Sequence, residues 1–251
     1  MKTVAIIQAR MTSTRLPGKV MLPLAGKPML QRLVERLARA ETLDQIAVAT
    51  TTNATDDVIA DWCSAQDVAC HRGPEHDVLA RFAGAAQRHE ADVVVRVTSD
   101  CPLLGPELVD QMVRSFQSPS DRCDYLSNML EPTYPYGMAV EVFTASALYQ
   151  AEAEALDPAE REHVTPFLYW RPERYRLRSV RHEGDLTHHR WTVDTPEDYE
   201  LVRRIFEALY PTNPGFRLDD VLALLRAHPD WSALNAHVEQ KQARAITQDS
   251  P

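Results

Sequence analysis

The chain contains 251 residues with a formal net charge of −9, and 44% of them are hydrophobic. That length and composition suffice for one large α/β domain with a substantial core. No run approaches the roughly 18 apolar residues of a membrane span, and no signal-peptide pattern opens the chain. We therefore expect a cytoplasmic protein with no membrane partner.

In the first half of the chain, short β-branched runs alternate with amphipathic segments of helical periodicity. This alternation predicts a parallel sheet covered by helices on both faces. The predicted strands are 3–8, 45–49 and 92–97, and the predicted helices are 29–40, 56–66 and 78–89.

The alternation weakens in the second half, where a segment rich in Pro and Tyr, 131–137, predicts a loop over a site. We expect one domain, 1–239, with an insertion for acceptor binding or dimerisation around 131–190, and a disordered tail, 240–251. The predicted strands are 124–128, 139–143, 175–180 and 190–193. The predicted helices are 145–154, 159–169 with a kink at Pro166, 196–210, 219–226 and 229–238.

The first strand runs directly into a basic loop. Residues 4–19 read VAIIQARMTSTRLPGK, which places Arg10, Arg15 and Lys19 after the strand with no acidic residue between them. Cations and backbone N–H groups at the carboxyl end of a strand are what a nucleoside triphosphate requires, and Gly18 allows close approach of the main chain. The spacing matches neither GxxxxGK[ST] nor GxGxxG, and a solvated basic turn after an edge strand is the alternative.

Charge along the chain favours a phosphate site. The first 34 residues contain six cations and no acidic residue, which leaves −15 on the rest of a chain whose total is −9. Such an asymmetry indicates a focused pocket for a small anion, not a broad basic face for nucleic acid.

Two aspartates follow predicted strands. Asp100 lies in RVTSDCP and Asp194 in RWTVDTPED, both at positions where ligands bind in open α/β sheets. Mg²⁺ is commonly held by one or two carboxylates together with phosphate oxygens and water. The pair therefore predicts a Mg²⁺ site, although either residue alone could serve as a turn former or a helix cap.

Several long segments in register carry a family resemblance. The sequence resembles the cytidylyltransferases of the spore coat polysaccharide biosynthesis protein F type, relatives of the synthetases of CMP-activated sialic acids and CMP-activated 3-deoxy-manno-octulosonate. The matching segments are IIQARMTSTRLPGKV, VATTTN, HRGPEHDVLARF, RVTSDCPLL, YPYGMAVEVF, REHVTPFLY and RWTVDTPEDYELV.

The resemblance implies a three-layer nucleotide-diphospho-sugar transferase fold with a mixed sheet, Rossmann-like and similar to the GT-A fold. It also implies transfer of CMP from CTP to a sugar acid or similar anionic acceptor with release of pyrophosphate, a Mg²⁺ cofactor and a homodimer. By the same resemblance, the triphosphate ligands are Arg10 and Lys19, within a nucleotide-binding loop that includes Gln8, Ala9, Arg15 and Gly18. The metal ligands are Asp100 and Asp194. The residues near the cytosine are Arg72, Gly73, Asp77 and Arg81.

The acceptor side is less well defined. Ala139 stands where the family commonly has an acidic residue, while Tyr134, Tyr136 and Glu141 are candidate acceptor-binding residues or ordinary packing residues. Glu162 and His163 could touch substrate or a partner subunit, or lie on a helix surface. The histidines of 182–189 lack the spacing of a metal site.

Two other functions remain open from the sequence. A glycosyltransferase of related fold would usually carry a DxD pair, and SDCP supplies a single acid. A non-catalytic nucleotide-binding module would have no chemical need to keep Asp100 and Asp194 together with Arg10 and Lys19.

Overall fold

The computed structural model describes residues 1–239, and the predicted tail 240–251 lies outside them. Its strands are β1 (Thr3–Gln8), β2 (Pro23–Leu24), β3 (Lys27–Pro28), β4 (Gln45–Thr51), β5 (Ala69–Gly73), β6 (Val93–Thr98), β7 (Tyr125–Ser127), β8 (Glu141–Thr144) and β9 (Leu177–Ser179). Its α-helices are α1 (Met29–Leu37), α2 (Asp57–Ala65), α3 (Val78–Arg88), α4 (Pro106–Gln117), α5 (Ala145–Glu154), α6 (Pro158–His163), α7 (Pro166–Tyr169), α8 (Pro196–Leu209), α9 (Leu218–Ala227) and α10 (Pro229–Ser232).

Seven of the strands form one mixed sheet in the order β5-β4-β1-β6-β8-β7-β9. β1 pairs in parallel with β4 on one side and with β6 on the other, whereas β8 is antiparallel to both β6 and β7. Buried apolar side chains form one cluster on each face of the sheet, beneath the helices. The structure thus confirms the α/β class and the three-layer mixed sheet.

The strand order reverses at β1, since the chain moves outward through β4 and β5 and then returns to β6 on the other side of β1. In open α/β sheets a crevice forms at the carboxyl ends of the strands at such a switch point. The loops after β1 and β6 therefore face each other across one crevice.

The prediction of a strand at 190–193 is wrong. This segment is extended, but it makes one isolated parallel bridge, between Tyr136 and Arg190, and its Val193 N–H donates to the Asp100 carbonyl at 2.8 Å. Its backbone thus bonds to two different loops instead of to one neighbouring strand.

Other differences have local causes. The predicted helix 159–169 is two helices, α6 and α7, separated by Val164, whose φ is +73°. The predicted helix 229–238 shortens to one turn, α10. The sequence analysis did not predict α4, which starts with Pro106 after Gly105, or β5, whose residues ACHRG lack apolar alternation. Within residues 1–239, no helix has the length and apolarity needed to cross a membrane.

Candidate active site

A cleft of about 990 Å³ opens at the carboxyl edge of the sheet, where the loops after β1 and β6 meet the segment before α8. Ala9 and Gly18 belong to the backbone of the first of these loops. The cleft brings together seven of the residues predicted to bind the nucleotide or the metal: Gln8, Arg10, Arg15, Lys19, Asp77, Asp100 and Asp194.

The basic loop is shaped by its own backbone and by one buried carboxylate. Gly18 adopts φ +72°, a conformation that favours glycine, and its N–H donates to the Met11 carbonyl at 2.9 Å. The Met11 N–H in turn donates to the buried carboxylate of Asp56 at 2.7 Å. This bracing leaves the partly exposed side chains of Arg10 and Arg15 facing the cleft.

Lys19 lies at the centre of the site, at the start of a short 3₁₀ helix. Its Nζ donates to Asp100 Oδ2 at 2.9 Å, to Asp194 Oδ1 at 2.8 Å and to the Val193 carbonyl at 2.7 Å. Burial alone would lower the pKa of Lys19, but the two carboxylates raise it above its ordinary value. Burial alone would raise the pKa of Asp100, but the Lys19 charge and the hydrogen bonds from Thr98 and Lys19 hold that pKa below its usual range.

Asp194 is held by two further cations. Arg15 Nη2 lies 2.8 Å and Arg190 Nη2 3.1 Å from its Oδ2. Arg190 is itself paired with the fully buried Asp198, at 2.9 Å, and Asn235 donates to the same Asp198 carboxylate at 2.8 Å. The first turn of α8 therefore fixes the position of Asp194.

The two carboxylates fit the role of a two-acid metal site. Asp100 and Asp194 each place an oxygen within 3.0 Å of the same Lys19 nitrogen, so both oxygens point to one cation position. Nowhere in residues 1–239 does a group of three or more His, Cys, Asp or Glu side chains form a metal cage. A divalent ion here would thus need phosphate oxygens and water as its other ligands, as is usual for Mg²⁺.

Of the four predicted cytosine-side residues, Asp77 alone lines the cleft, and Arg72, Gly73 and Arg81 do not. Asp77 lines the cleft, caps α3 by accepting from the Ala80 N–H at 2.9 Å, and pairs with Arg161. Arg72 instead donates to main-chain carbonyls at the end of β4 and beyond, at 2.8 and 2.9 Å. Arg81 is fully buried against Gly73, and burial, opposed by nearby carboxylates, lowers its pKa to about 10.

None of the three candidate acceptor-binding residues is among those that line the cleft. Tyr134 is buried, with its ring 5.4 Å from the ring of His182. Tyr136 borders a separate pocket of about 260 Å³ together with His189. Glu141 is buried on β8, directly opposite β6, and accepts hydrogen bonds from side chains of β6, of β7 and of the segment between α6 and α7.

Glu162 and His163, whose role the sequence left open, both line the cleft at the end of α6. They precede a strained turn in which Val164 has φ +73° and ψ −56°, and the Thr165 N–H donates to the His163 carbonyl at 2.9 Å. A γ-turn with positive φ is rare, and strain of this kind concentrates at functional sites.

Sequence reasoning missed Arg96, which also lines the cleft. The signal was present, since Arg96 is the single charged residue within the otherwise uncharged strand VVVRVT, four residues before Asp100. A charge in a central strand requires a partner, and the partner is Glu141. Arg161 was missed for another reason, because its partner Asp77 is 84 residues away in the sequence.

Comparison with known proteins identifies the family. Residues 4–246 match the family model described as cytidylyltransferase. The spore coat polysaccharide biosynthesis protein SpsF of Bacillus subtilis is 32% identical over 90% of this chain and 94% of its own length.

Solved structures show the same fold. A cytidylyltransferase from Leptospira borgpetersenii superposes with a TM-score of 0.88 at 31% identity, covering 97% of this chain and all of the other. A CMP:2-keto-3-deoxy-manno-octonic acid synthetase complexed with CTP gives 0.63 at 18% identity, with coverage of 83% and 99%. This chain therefore belongs to the cytidylyltransferase family.

Proposed function

We propose that this cytidylyltransferase transfers CMP from CTP to a sugar acid or similar anionic acceptor, releases pyrophosphate, and depends on Mg²⁺. The relatives suggest a place in the biosynthesis of a polysaccharide or glycan, as the printed name of the Bacillus subtilis protein indicates for that protein. The observation that carries the proposal is the Lys19 nitrogen shared by Asp100 and Asp194, directly beside a basic loop at the switch point of the sheet.

The basic loop supports triphosphate binding. Arg10 and Arg15 provide planar donor groups that can grip phosphate oxygens with two bonds each, while Lys19 provides a single concentrated charge. Lys19 and Arg15 are held by carboxylates. When CTP binds, we expect these two side chains to exchange those carboxylates for phosphate oxygens.

In the proposed reaction, an oxygen of the acceptor attacks the α-phosphorus in line with the leaving group, and an attacking hydroxyl loses its proton to water. The bond from the α-phosphorus to the oxygen that bridges to the β-phosphate breaks, and the electron pair leaves with pyrophosphate. Arg10, Arg15 and Lys19 stabilise the negative charge that develops on that leaving group. Mg²⁺ bound by Asp100 and Asp194 would neutralise phosphate charge and help to align the reacting oxygens.

The test is pyrophosphate release with Mg²⁺ and each of CTP, UTP, ATP and GTP, against a panel of sugar acids, sugar phosphates and their neutral analogues. We expect release with CTP and an anionic acceptor. Release with a different nucleotide would contradict the nucleotide assignment. Release of a sugar from a nucleotide sugar, without pyrophosphate, would instead identify a glycosyltransferase.

We also propose a cytoplasmic homodimer, as the family resemblance implies. Leu156 is 91% exposed and lies at the rim of the cleft, within the segment 131–190 that was expected to carry the dimer interface. Light scattering should give twice the mass of one chain, and the mass of a monomer would contradict this proposal.

A further inference from the structure

One arginine in the cleft stands apart from the basic loop. Arg96 lies on β6 on the same face as Thr98, whose hydroxyl donates to Asp100 at 2.6 Å. Successive residues on one face of a strand are roughly 7 Å apart along it, so Arg96 extends the cleft floor away from the predicted metal site. A molecule that reacts near Asp100 could reach Arg96 with a second part of its structure.

A buried network fixes the guanidinium of Arg96. Glu141, directly opposite on β8, accepts a hydrogen bond from Arg96 Nη1. The other oxygen of Glu141 accepts from the Tyr125 hydroxyl at 2.6 Å and the Thr165 hydroxyl at 2.5 Å. Because the carboxylate is held by three donors from three segments, the guanidinium has little freedom to turn.

This network connects two parts of the cleft. Thr165, which donates to Glu141, is the last residue of the strained turn that carries His163 into the cleft. The orientation of Arg96 and the position of His163 are therefore set by the same buried carboxylate.

The network uses one end of the guanidinium and leaves the other free. Within residues 1–239, Arg96 Nε is buried and has no hydrogen-bond partner, and Nη2 makes no hydrogen bond. These two nitrogens form an edge that matches the two oxygens of a carboxylate or phosphate group. A buried donor without a partner is costly, so a ligand that supplies the missing acceptor gains affinity.

The other cleft cation remote from the basic loop does not offer such an edge. Arg161 donates to both carboxylate oxygens of Asp77 and to the Glu152 carbonyl, the latter at 2.6 Å. The Arg161 guanidinium is therefore occupied in holding α6 against the start of α3.

We propose that Arg96 binds the anionic group of the acceptor, a carboxylate or a phosphate, and that Glu141 acts as a positioning residue that orients Arg96. The proposal rests on the proposed function and deepens it, because it assigns the acceptor's charge to a residue outside the nucleotide site. It also explains why Glu141 lies in a segment expected to serve the acceptor and yet does not itself line the cleft.

The experiment measures pyrophosphate release with CTP and the acceptor panel for the wild type and the variants Arg96→Gln, Arg96→Lys and Glu141→Gln. Arg114→Gln is the matched control, because Arg114 pairs with Glu41 on the surface. We expect Arg96→Gln to raise the KM for the acceptor roughly 10- to 150-fold while the KM for CTP stays within about twofold. Arg96→Lys keeps the charge but not the two-nitrogen edge, so it should recover part of the loss.

The panel distinguishes the two possible anions. Each sugar acid is compared with its methyl ester, and each sugar phosphate with the free sugar. The wild type should prefer the charged member of one pair, and Arg96→Gln should lose that preference. Glu141→Gln should raise the acceptor KM in the same direction, with kcat less affected, which a purely structural role would not produce.

Three results would overturn the inference. The first is an unchanged acceptor KM in folded Arg96→Gln and Arg96→Lys proteins. The second is a rise in the KM for CTP instead of the acceptor. The third is a wild-type protein that binds CTP by calorimetry but accepts no anionic member of the panel. Absence of CTP binding would instead refute the proposed function itself, and the inference with it.

Discussion

Replacing Lys19 by Met tests directly whether the two central carboxylates form the metal site. Methionine keeps a similar unbranched stem but removes the ammonium that donates to Asp100 and Asp194. The two carboxylates then lose their shared cation, while Asp194 keeps Arg15 and Arg190. We expect the variant to be less stable than the wild type without Mg²⁺ and to be stabilised more by Mg²⁺.

The size of the effect follows from the burial of the cluster. The side chains of Lys19, Asp100 and Asp194 are 9%, 25% and 13% exposed, so this cluster of three charges is largely shielded from water. Removing one partner of a buried ion pair costs about 3–5 kcal/mol. Because Asp194 keeps two other cations, we expect Lys19→Met to lose about 3 kcal/mol of the free energy of unfolding. Mg²⁺ at about 100 times its dissociation constant should restore about 2.7 kcal/mol.

Urea unfolding of the wild type, Lys19→Met and the control Lys27→Met, each with EDTA or with Mg²⁺, measures these free energies. Lys27 is exposed, so its replacement should change neither the free energy of unfolding nor its response to Mg²⁺. The wild type should gain less from Mg²⁺ than Lys19→Met, because in the wild type the ion has to displace Lys19. An equal gain in both proteins, or no gain in the variant, would refute the assignment of the metal site.

Three further predictions concern residues that support the site. Gly137→Ala should lower the free energy of unfolding by roughly 2–5 kcal/mol, because φ is +101° there and an added Cβ would clash with the backbone of Trp191 and Thr192; a normal urea midpoint would contradict this. Arg161→Met should cost about 1–2 kcal/mol through its partly buried pair with Asp77, and a loss confined to low salt would show a mere surface effect. Asp198→Asn should cost about 3 kcal/mol at neutral pH. Burial would raise the pKa of Asp198, but Arg190 lowers it below the ordinary aspartate value. The stabilisation by the charged Asp198 carboxylate is therefore complete above the ordinary aspartate pKa, and it is lost as the pH falls through the lowered pKa of the folded protein. The stability of wild type and variant should therefore converge in acid, and a constant difference down to low pH would be inconsistent with that linkage.

The strands and helices nearest the cleft were predictable because their periodicity is local. The predicted strand 3–8 matches β1, and the predicted helix 196–210 begins at Pro196, where the structure places Thr195 as the N-cap. The convergence of the basic loop with Asp100 also followed from the rule that ligands bind at the carboxyl ends of parallel strands. Asp194 reaches the same cleft from an extended segment that is not a strand of the sheet.

What could not be predicted depends on pairings between distant residues. The sequence shows that Arg96 is an unusual residue for a central strand, but not that Glu141 lies opposite it across an antiparallel pair. The extended segment 190–193 has strand composition, yet the backbone near Gly137 and the loop after β6 take its hydrogen bonds. Such outcomes depend on tertiary contacts, which local propensity does not contain.

The most direct test of the central claim is the initial rate of pyrophosphate release by wild type and Asp100→Asn, with CTP, Mg²⁺ and the best acceptor of the panel. Asparagine keeps the shape of the side chain but removes the charge that faces Lys19 and the proposed metal position. We predict a rate at least about 100-fold lower in the variant, of the size seen when one charge-stabilising group is lost from an active site. Equal rates in the two proteins would show that nucleotidyl transfer does not take place at this cleft.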